Sequence, residues 1–267
     1  MIIIGEKINT SIKAVNEAVL TENEAAIQEI TAKQIEYGSN YLDVNCGTFV
    51  ENEAAKMRWL INIIKKVNDI PLCIDSPNPL VVKEGLELLN TSDVIVNSIT
   101  AEKERWELFE PLVTEFKTSV IALCMNDDGI PDNPEERMKI AFDIANRLSA
   151  KGVSPDRIFF DPMVKPISTN SQNAAITLEA MKSIRKEIPD AHITCGLSNI
   201  SYGLPVRKLL NQAFMVSTIF AGLDAAIINP MDKRLMALVY ASEALAGKDD
   251  YCMEFITKFR EGYFDEL

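Results

Sequence analysis

Short apolar segments recur along the chain at intervals that suit alternating strands and helices. Most are apolar almost throughout, which is typical of strands that are covered on both faces by other elements. Tight-turn residues or helical patterns separate them. We therefore predict eight strands: Ile2–Gly5, Tyr41–Asn45, Leu72–Asp75, Val94–Asn97, Ser119–Cys124, Ile158–Asp161, Ile193–Gly196 and Ala225–Asn229.

The segments between these strands carry helical signals. Thr21 and Glu24 predict a capping box at the start of one helix, and Gly38 is placed to end it. Asn133 followed by Pro134 predicts the start of another. A third segment has an apolar stripe with the i, i+3, i+4, i+7 spacing of a helix face: Met57, Leu60, Ile61 and Ile64.

Eight strand–helix units in about 250 residues have the size and rhythm of a TIM (β/α)8 barrel. We predict a single domain over residues 1–267, closed by a terminal helix that begins at about residue 249. A doubly wound open sheet is the alternative. The first strand is not followed by a G-x-G-x-x-G segment, which weakens a dinucleotide-binding fold.

Charge and cysteine usage narrow the possible functions. The 267 residues hold 27 basic and 39 acidic side chains, a formal charge of −12, which argues against a nucleic-acid surface. The five scattered cysteines form no C-x-x-C pair, so we expect reduced thiols and a cytoplasmic protein. No apolar stretch is long enough to span a membrane, and no spacing suggests metal ligands.

Polar residues follow nearly every predicted strand. In a TIM barrel the loops after the strands build the active site, so these side chains should converge at one mouth. They are rich in carboxamides and carboxylates: Glu6, Lys7, Asn9, Asn45, Asp75, Asn97, Asn126, Asp127, Asp161, Ser198, Asn199 and Asn229. A carboxylate accepts two N–H bonds and a carboxamide both donates and accepts. The set suits a neutral heterocycle with N–H and C=O edges.

Each of these residues also has a plainer interpretation. Asp75 precedes Ser76-Pro77 and Asp161 precedes Pro162, and both could simply cap turns. A turn role for Asn97 is as good as a ligand role. His192, the one histidine, opens a strand and is better read as a packing residue than as a catalyst. The occurrence of three such residues at strand ends is harder to attribute to turns alone.

Several motifs resemble the pterin-binding TIM-barrel group, and within it the methyltetrahydrofolate:corrinoid protein methyltransferases. That family includes the folate-binding module of cobalamin-dependent methionine synthase. The resemblance covers nearly the whole chain and is most specific in the segment from Gly196 to Arg207. The matching segments are Gly5-Glu6-Lys7-Ile8-Asn9, Leu42-Asp43-Val44-Asn45, Ile74-Asp75-Ser76, Val96-Asn97-Ser98, Phe160-Asp161-Pro162 and Gly196-Leu197-Ser198-Asn199-Ile200-Ser201-Tyr202-Gly203-Leu204-Pro205-Val206-Arg207.

The resemblance implies roles for individual residues. Asp75, Asn97 and Asp161 would bind the pterin ring, and Gly196 and Ser198 would shape the loop beside it. Asn199 would approach the ring nitrogen that carries the methyl group. As a mechanistic hypothesis, a proton would reach that nitrogen through water or from an acid in the same network, Asp75. Arg207 would lie at the mouth near the corrinoid or the folate tail, and Lys165 is a second candidate for such a contact.

The implied reaction transfers a methyl group between N5 of methyltetrahydrofolate and the cobalt of a corrinoid. Tetrahydrofolate and its methyl derivative would be the small-molecule substrates. The chain holds no D-x-H-x-x-G segment for cobalamin, so the corrinoid would be supplied by a separate corrinoid protein. A homodimer is expected from the family alone.

Three alternatives stay open at this point. The first is a dihydropteroate synthase, a family that shares the barrel and the acidic residues that bind the pterin. After the seventh strand those enzymes have a Ser-Arg-Lys run, whereas this chain has Leu197-Ser198-Asn199-Ile200. A folate-binding subunit without catalytic activity is the second. The third is an unrelated barrel aldolase or decarboxylase, which would require a strand-end lysine for a Schiff base.

Overall fold

The computed structural model describes residues 1–265, which contain eight strands and ten α-helices. The strands are β1 Ile2–Asn9, β2 Tyr41–Asn45, β3 Leu72–Asp75, β4 Val94–Thr100, β5 Ser119–Leu123, β6 Ile158–Asp161, β7 His192–Ile193 and β8 Ala225–Ile228. The helices are α1 Lys13–Leu20, α2 Glu24–Glu36, α3 Glu53–Val67, α4 Pro79–Leu89, α5 Lys103–Glu115, α6 Pro134–Ser149, α7 Asn173–Glu187, α8 Arg207–Phe220, α9 Lys233–Leu245 and α10 Met253–Arg260.

All neighbouring strands pair in parallel, in the order β7-β6-β5-β4-β3-β2-β1-β8. A parallel bridge between Gly196 and Ile227 connects the segment after β7 to β8 and so completes the circle. Helices follow the strands and form the outer layer. The predicted single-domain TIM barrel is confirmed, and the open doubly wound sheet is excluded by this closure.

The barrel has two apolar layers, as the near-continuous apolar strands require. The larger core lies between the strands and the helices. The smaller one fills the barrel interior, with one buried residue from each of six strands: Ile4, Cys73, Ile95, Ile121, Phe159 and Ala225. Because side chains alternate along a strand, the residues two positions later point inward at the carboxyl end of the barrel.

Three predicted strands match the structure residue for residue, and the others differ at their ends. β1 and β4 run on to Asn9 and Thr100, beyond the predicted limits. β7 is reduced to His192–Ile193, where the sequence predicted strand through Gly196. The chain turns there into a 3-10 segment, Leu197–Ser201, which carries part of the predicted site.

The helix predictions were right in position and partly wrong in their caps. The apolar stripe of α3 is buried, and Asn133 caps α6 by accepting from the Glu136 N–H. The capping box of Thr21 and Glu24 was wrong. Asn23 caps α2 instead, accepting from the Ala26 N–H, because an extra helix, α1, precedes it and Thr21 lies at the end of that helix.

The last helix, α10, runs from Met253 to Arg260, where the sequence predicted a terminal helix from about residue 249, and residues 266–267 of that predicted segment lie outside the described residues. Gly38, with φ of 93°, follows α2 in the left-handed conformation that favours glycine. Within residues 1–265, no helix is both long and apolar enough to cross a bilayer.

Arg137 of α6 is fully buried and fixes the loop that follows β6. Its Nε donates to the Pro131 carbonyl at 2.9 Å, and its Nη1 donates to the carbonyls of Pro162 and Met163 at 2.9 and 2.7 Å. The first carbonyl belongs to the segment before α6 and the other two directly follow Asp161. One guanidinium therefore joins two rim loops beneath the mouth of the barrel.

We predict that Arg137→Met lowers the free energy of unfolding by about 3–5 kcal/mol, because it leaves one buried and two partly buried carbonyl acceptors without a donor. Urea unfolding followed by circular dichroism measures this. Lys139→Met on the exposed face of the same helix is the control, with an expected change within about 0.5 kcal/mol. A loss for Arg137→Met no larger than that of the control would show that the guanidinium does not support the loop.

Candidate active site

The carboxyl end of the barrel carries a ring of inward-facing polar residues. Asn45, Asp75 and Asn97 are consecutive register partners on β2, β3 and β4. Asp161 holds the corresponding place on β6, in register with Leu123 of β5. The parallel strands thus bring Asp75, Asn97 and Asp161 to the same end of the molecule, as the sequence predicted.

Asp43 lies one layer deeper and was not singled out in the sequence. It is only 3% exposed, and its Oδ1 accepts from Asn97 Nδ2 at 3.3 Å. The Cys73 thiol also hydrogen-bonds to this carboxyl. Burial, and secondarily the charge of Asp75, raise the pKa of Asp43 well above its usual range. Asp43 is thus a buried carboxylic acid that retains its proton more readily than an ordinary aspartate.

Asp75 has the more polar surroundings of the two carboxyls. Its Oδ2 accepts from Asn45 Nδ2 at 2.8 Å. Burial raises the pKa of Asp75, while the bond from Asn45 and the charge of Arg105 oppose that rise. Where two neighbouring acids have unequal surroundings, their pKa values separate. Burial therefore raises the pKa of Asp43 without such opposing charge from a basic side chain, whereas Arg105 and Asn45 favour the charged form of Asp75.

Arg105 was also missed by the sequence reasoning. It lies on α5, and its guanidinium donates twice to the Ser98 carbonyl, at 3.0 and 2.7 Å, and once to the Pro77 carbonyl at 3.0 Å. It thereby joins the loop after β3 to the strand β4 and places a positive charge near Asp75. Nothing in the local sequence marks this arginine, because its partners are main-chain carbonyls of two other segments.

Asp161 is buried and accepts two backbone hydrogen bonds. The Met163 N–H donates to its Oδ1 at 2.7 Å, and the Gly196 N–H donates to its Oδ2 at 3.3 Å. Burial raises the pKa of Asp161 to about 6, although these two bonds and the charge of Arg137 oppose the rise. The bond to Met163 is the turn-capping role foreseen as the plainer alternative. The bond to Gly196 links β6 to the loop after β7.

That loop carries the remaining predicted residues. Asn199 is exposed, and it folds back over Gly196, where its Nδ2 lies 3.1 Å from the position that a Cβ on Gly196 would take. Ser198 Oγ accepts from Asn211 Nδ2 at 3.3 Å. The missing side chain at Gly196 therefore leaves room for the amide of Asn199 at the edge of the ring that holds Asp161.

Arg207 and Lys165 both lie on rim segments, and both already have partners. Arg207 Nη2 donates to the Ser198 carbonyl at 2.7 Å and its Nε to Ser201 Oγ at 3.1 Å, so it braces the loop that carries Asn199. Lys165 Nζ donates to Asp132 Oδ1 at 2.7 Å and to the Ile130 carbonyl at 3.1 Å. Their contact with a corrinoid or a folate tail stays a prediction.

Other polar residues have settled roles in packing. His192 stacks on Phe159 with ring centroids 4.5 Å apart, and its Nδ1 lies 3.1 Å from Asp224 Oδ2, so the packing interpretation is confirmed. The Cys46 thiol is buried and donates to the Glu53 carbonyl at 3.5 Å. Within residues 1–265, no group of three metal-ligating side chains is placed to hold an ion.

Glu6 extends the acidic ring on the β1 side. With Ser198 and Asn229 it lines a cavity of about 140 Å³, and burial raises its pKa despite the opposing charge of Lys7. The mouth of the barrel therefore contains carboxyl groups, which accept hydrogen bonds when ionised, and carboxamides, which both donate and accept them. Such an edge can hold a flat heterocycle through several simultaneous hydrogen bonds.

We predict that Asp43→Asn stabilises the protein increasingly as the pH rises from 5 to 8. A carboxyl whose pKa is higher in the folded state contributes its stability at low pH and loses it as the pH passes the folded pKa. The asparagine Oδ1 can still accept from Asn97, and its amide faces the Cys73 sulfur. Urea unfolding of the variant and the wild type at both pH values measures the difference.

The matched control is Asp69→Asn, whose side chain is 99% exposed and should change stability by no more than about 0.5 kcal/mol at either pH. A pH-independent difference between Asp43→Asn and the wild type would mean that Asp43 is ionised like an ordinary aspartate.

Comparisons with known proteins agree with this geometry. The family described as "Pterin binding enzyme" matches residues 5–229. The Eubacterium limosum protein named methylcorrinoid:tetrahydrofolate methyltransferase is 35% identical over 264 residues, covering 98% of this chain and 97% of its own length. Methionine synthase of Mycobacterium tuberculosis is 29% identical over 86% of this chain, which spans only 20% of that longer protein.

Solved structures show the same fold at low identity. Dihydropteroate synthase of Xanthomonas albilineans in complex with 7,8-dihydropteroate superposes with a TM-score of 0.68 at 16% identity, over 90% of this chain and 93% of that one. The Yersinia pestis dihydropteroate synthase gives 0.65 at 14% identity, over 92% and 93%. A match that begins at β1 and ends just after β8 covers the whole barrel together with its polar mouth, so this chain belongs to the pterin binding enzyme family.

Proposed function

We propose that this protein transfers a methyl group between the cobalt of a corrinoid carried on a separate protein and N5 of tetrahydrofolate. The observation that carries the proposal is the ring of Asp75, Asn97 and Asp161 at the mouth of a barrel. The Eubacterium limosum relative, similar over its full length, is named for this reaction with the methylcorrinoid as donor. We take that direction as the physiological one.

The ring supports binding of the pterin through its donor-rich edge. A pterin presents an amino group and a ring N–H side by side, and a carboxylate accepts both as charge-assisted bonds. Asp161 is the most suitable carboxylate for that pair, because its backbone bonds hold it rigidly. Asn97 and Asp75, adjacent in register, can take the remaining donors and acceptors of the ring.

Asn199 is suited to act at N5. When the methyl group moves to N5, the cobalt–carbon bond breaks with its electron pair left on cobalt, and the N5 lone pair forms the new bond. The proton originally on N5 must then leave. The Asn199 amide, if held beside N5, can form a hydrogen bond that strengthens as the charge on N5 changes and is strongest in the transition state. The proton would pass to Asp75, directly or through water.

The corrinoid supplies the methyl group, and this chain positions the folate that receives it. It holds the folate in one orientation so that a second protein can present its cobalt. We further propose a cytoplasmic location, which the five free cysteines support, four of them buried. A homodimer is a proposal supported by the family resemblance alone.

The direct test combines the purified protein with tetrahydrofolate and methylcobalamin under anaerobic conditions and follows the loss of methylcobalamin absorbance together with formation of methyltetrahydrofolate. We predict that Asn199→Ala lowers the transfer rate by about 10- to 100-fold, the scale of one transition-state hydrogen bond, and changes the Kd for methyltetrahydrofolate less than threefold. Gly196→Ala should act in the same direction, since its Cβ would displace the Asn199 amide.

Asn146→Ala, on the exposed face of α6, is the matched control and should leave rate and affinity unchanged. An unchanged rate in Asn199→Ala would remove that residue from the mechanism. Binding of methyltetrahydrofolate without any methyl transfer, even from a corrinoid protein, would identify a folate-binding subunit. Condensation of a pterin pyrophosphate with p-aminobenzoate would identify a dihydropteroate synthase instead.

Asp161 should make pterin binding depend on pH. Its pKa of about 6 means that the proton must leave before the carboxylate can accept the two pterin donors. We predict that the Kd for methyltetrahydrofolate falls roughly tenfold between pH 5 and pH 7 and is constant above pH 7. Isothermal titration calorimetry in buffers of different ionisation heat would also detect release of the proton.

In Asp161→Asn this pH step should disappear, and binding at pH 7.5 should weaken by about 1.5–3 kcal/mol, the scale of a charge-assisted bond. Comparison with the variant separates the contribution of Asp161 from protonation of the ligand itself. Wild-type affinity in Asp161→Asn would refute the proposed contact.

A further inference from the structure

Three large apolar side chains stand exposed on the rim segment that follows Asn199. Tyr202, Val206 and Leu209 are 66%, 71% and 58% exposed, and we call them the apolar lip. Tyr202 directly follows the 3-10 segment of the predicted site, and Leu209 lies in the first turn of α8, at the mouth of the barrel. Single exposed apolar residues are common, but three within eight positions beside a binding site form a patch that calls for an explanation.

Val206 is unfavourable in two independent ways. It adopts the left-handed conformation, with φ of 52° and ψ of 41°, which is strained for a β-branched residue. Among the non-glycine residues with positive φ in the described part of the chain, it alone is β-branched. It also exposes most of its side chain to water. A residue that costs stability in its backbone and in its solvation is typical of a functional surface.

The charge around the lip differs from that of the whole protein. From Ser198 to Asn211 the chain has two basic residues, Arg207 and Lys208, and no acidic one, although the protein carries a formal charge of −12. The lip therefore has two basic side chains beside Val206, at the start of α8. Its complement is a partner surface with an apolar centre and an acidic border.

We propose that the apolar lip is the docking surface for the corrinoid-carrying protein. This inference rests on the proposed function. The cobalt must come within bonding distance of N5, so the protein that carries it must cover the mouth and contact its rim. The lip is the part of that rim closest in sequence to Asn199, because Tyr202 follows Asn199 by only three residues. Arg207 also connects the lip to the Ser198 carbonyl through a hydrogen bond.

The surface across the mouth agrees with this placement. Val50, on the loop after β2, and Leu80, in the first turn of α4 after β3, are 79% and 67% exposed. In the closed barrel these loops lie opposite the loop after β7. A partner seated over the mouth of the barrel would therefore meet apolar side chains on both sides.

Val206→Asn is the informative variant, because asparagine tolerates the left-handed conformation and should leave the melting temperature equal to or above that of the wild type. The donor is a purified corrinoid protein in its methylcobalamin form, compared with free methylcobalamin. We expect kcat/KM for the protein-bound donor to fall about tenfold or more, the scale of a central interface residue. The rate with free methylcobalamin and the Kd for methyltetrahydrofolate should stay within twofold.

Leu108→Asn is the matched control: it removes an exposed leucine from α5, three strand–helix units away, and should change neither donor's kinetics. Raising the ionic strength should also lower kcat/KM for the protein-bound donor and not for free methylcobalamin. Tyr202→Ser combined with Val206→Asn should deepen the loss.

Three outcomes would overturn the docking surface. One is a kcat/KM for the protein-bound donor that is the same in Val206→Asn, in the double variant with Tyr202→Ser, and in the wild type. Another is an equal loss with free methylcobalamin, which would assign the lip to the folate site. The third is a wild-type rate no faster with the protein-bound donor than with free methylcobalamin at equal concentration. By contrast, a wild-type protein that transfers no methyl group from either donor would refute the proposed function itself.

Discussion

Removal of carboxyl groups from water at one end of a closed barrel is the constraint on which the rest of this site depends. Parallel strands in register deliver Asp75, Asn97 and Asp161 to the same mouth, and closure of the barrel then buries them. Buried acids gain hydrogen-bond partners or have raised pKa values. Both are seen here: Asp161 accepts from two backbone N–H groups, Asp75 accepts from Asn45, and burial raises the pKa of Asp43 beneath them. The same desolvation strengthens every hydrogen bond that a ligand can form there.

The arrangement divides the work between rigid strands and one loop. Strand residues form the ring suited to the pterin, and their positions follow from register. The loop after β7 contributes Asn199, and it is tied to the strands through the Asp161–Gly196 bond and to α8 through Arg207. The proposed grip on the ring and the proposed action at N5 are therefore separable, and substitutions in the strands and in the loop should affect different kinetic constants.

Much of the fold and part of the site could be read from the sequence, for identifiable reasons. Asp75, Asn97 and Asp161 end short apolar runs, so a parallel sheet must collect them at one edge. Asp43 is different, because it lies inside β2 and faces inward only through the alternation Tyr41, Asp43, Asn45. That alternation is a signal in the sequence from which the inward position of Asp43 follows. Arg105 and Arg137 left no signal, since their partners are carbonyls brought close by tertiary structure. β7 was predicted too long because Thr194 and Cys195 are buried like strand residues although the regular strand ends at Ile193.

The position of the apolar lip follows from the same division. If the ring of Asp75, Asn97 and Asp161 holds a pterin by its donor edge, as we propose, the reacting nitrogen lies near the open side of the barrel. The reaction must then be completed from outside, and the surface that receives the donor has to lie within a few residues of Asn199. The strained and exposed Val206 stands there, held by the helix that begins at Arg207. If the backbone strain at Val206 is retained because the partner docks there, a substitution that relieves this strain without changing the fold affects docking and leaves the chemical step unchanged.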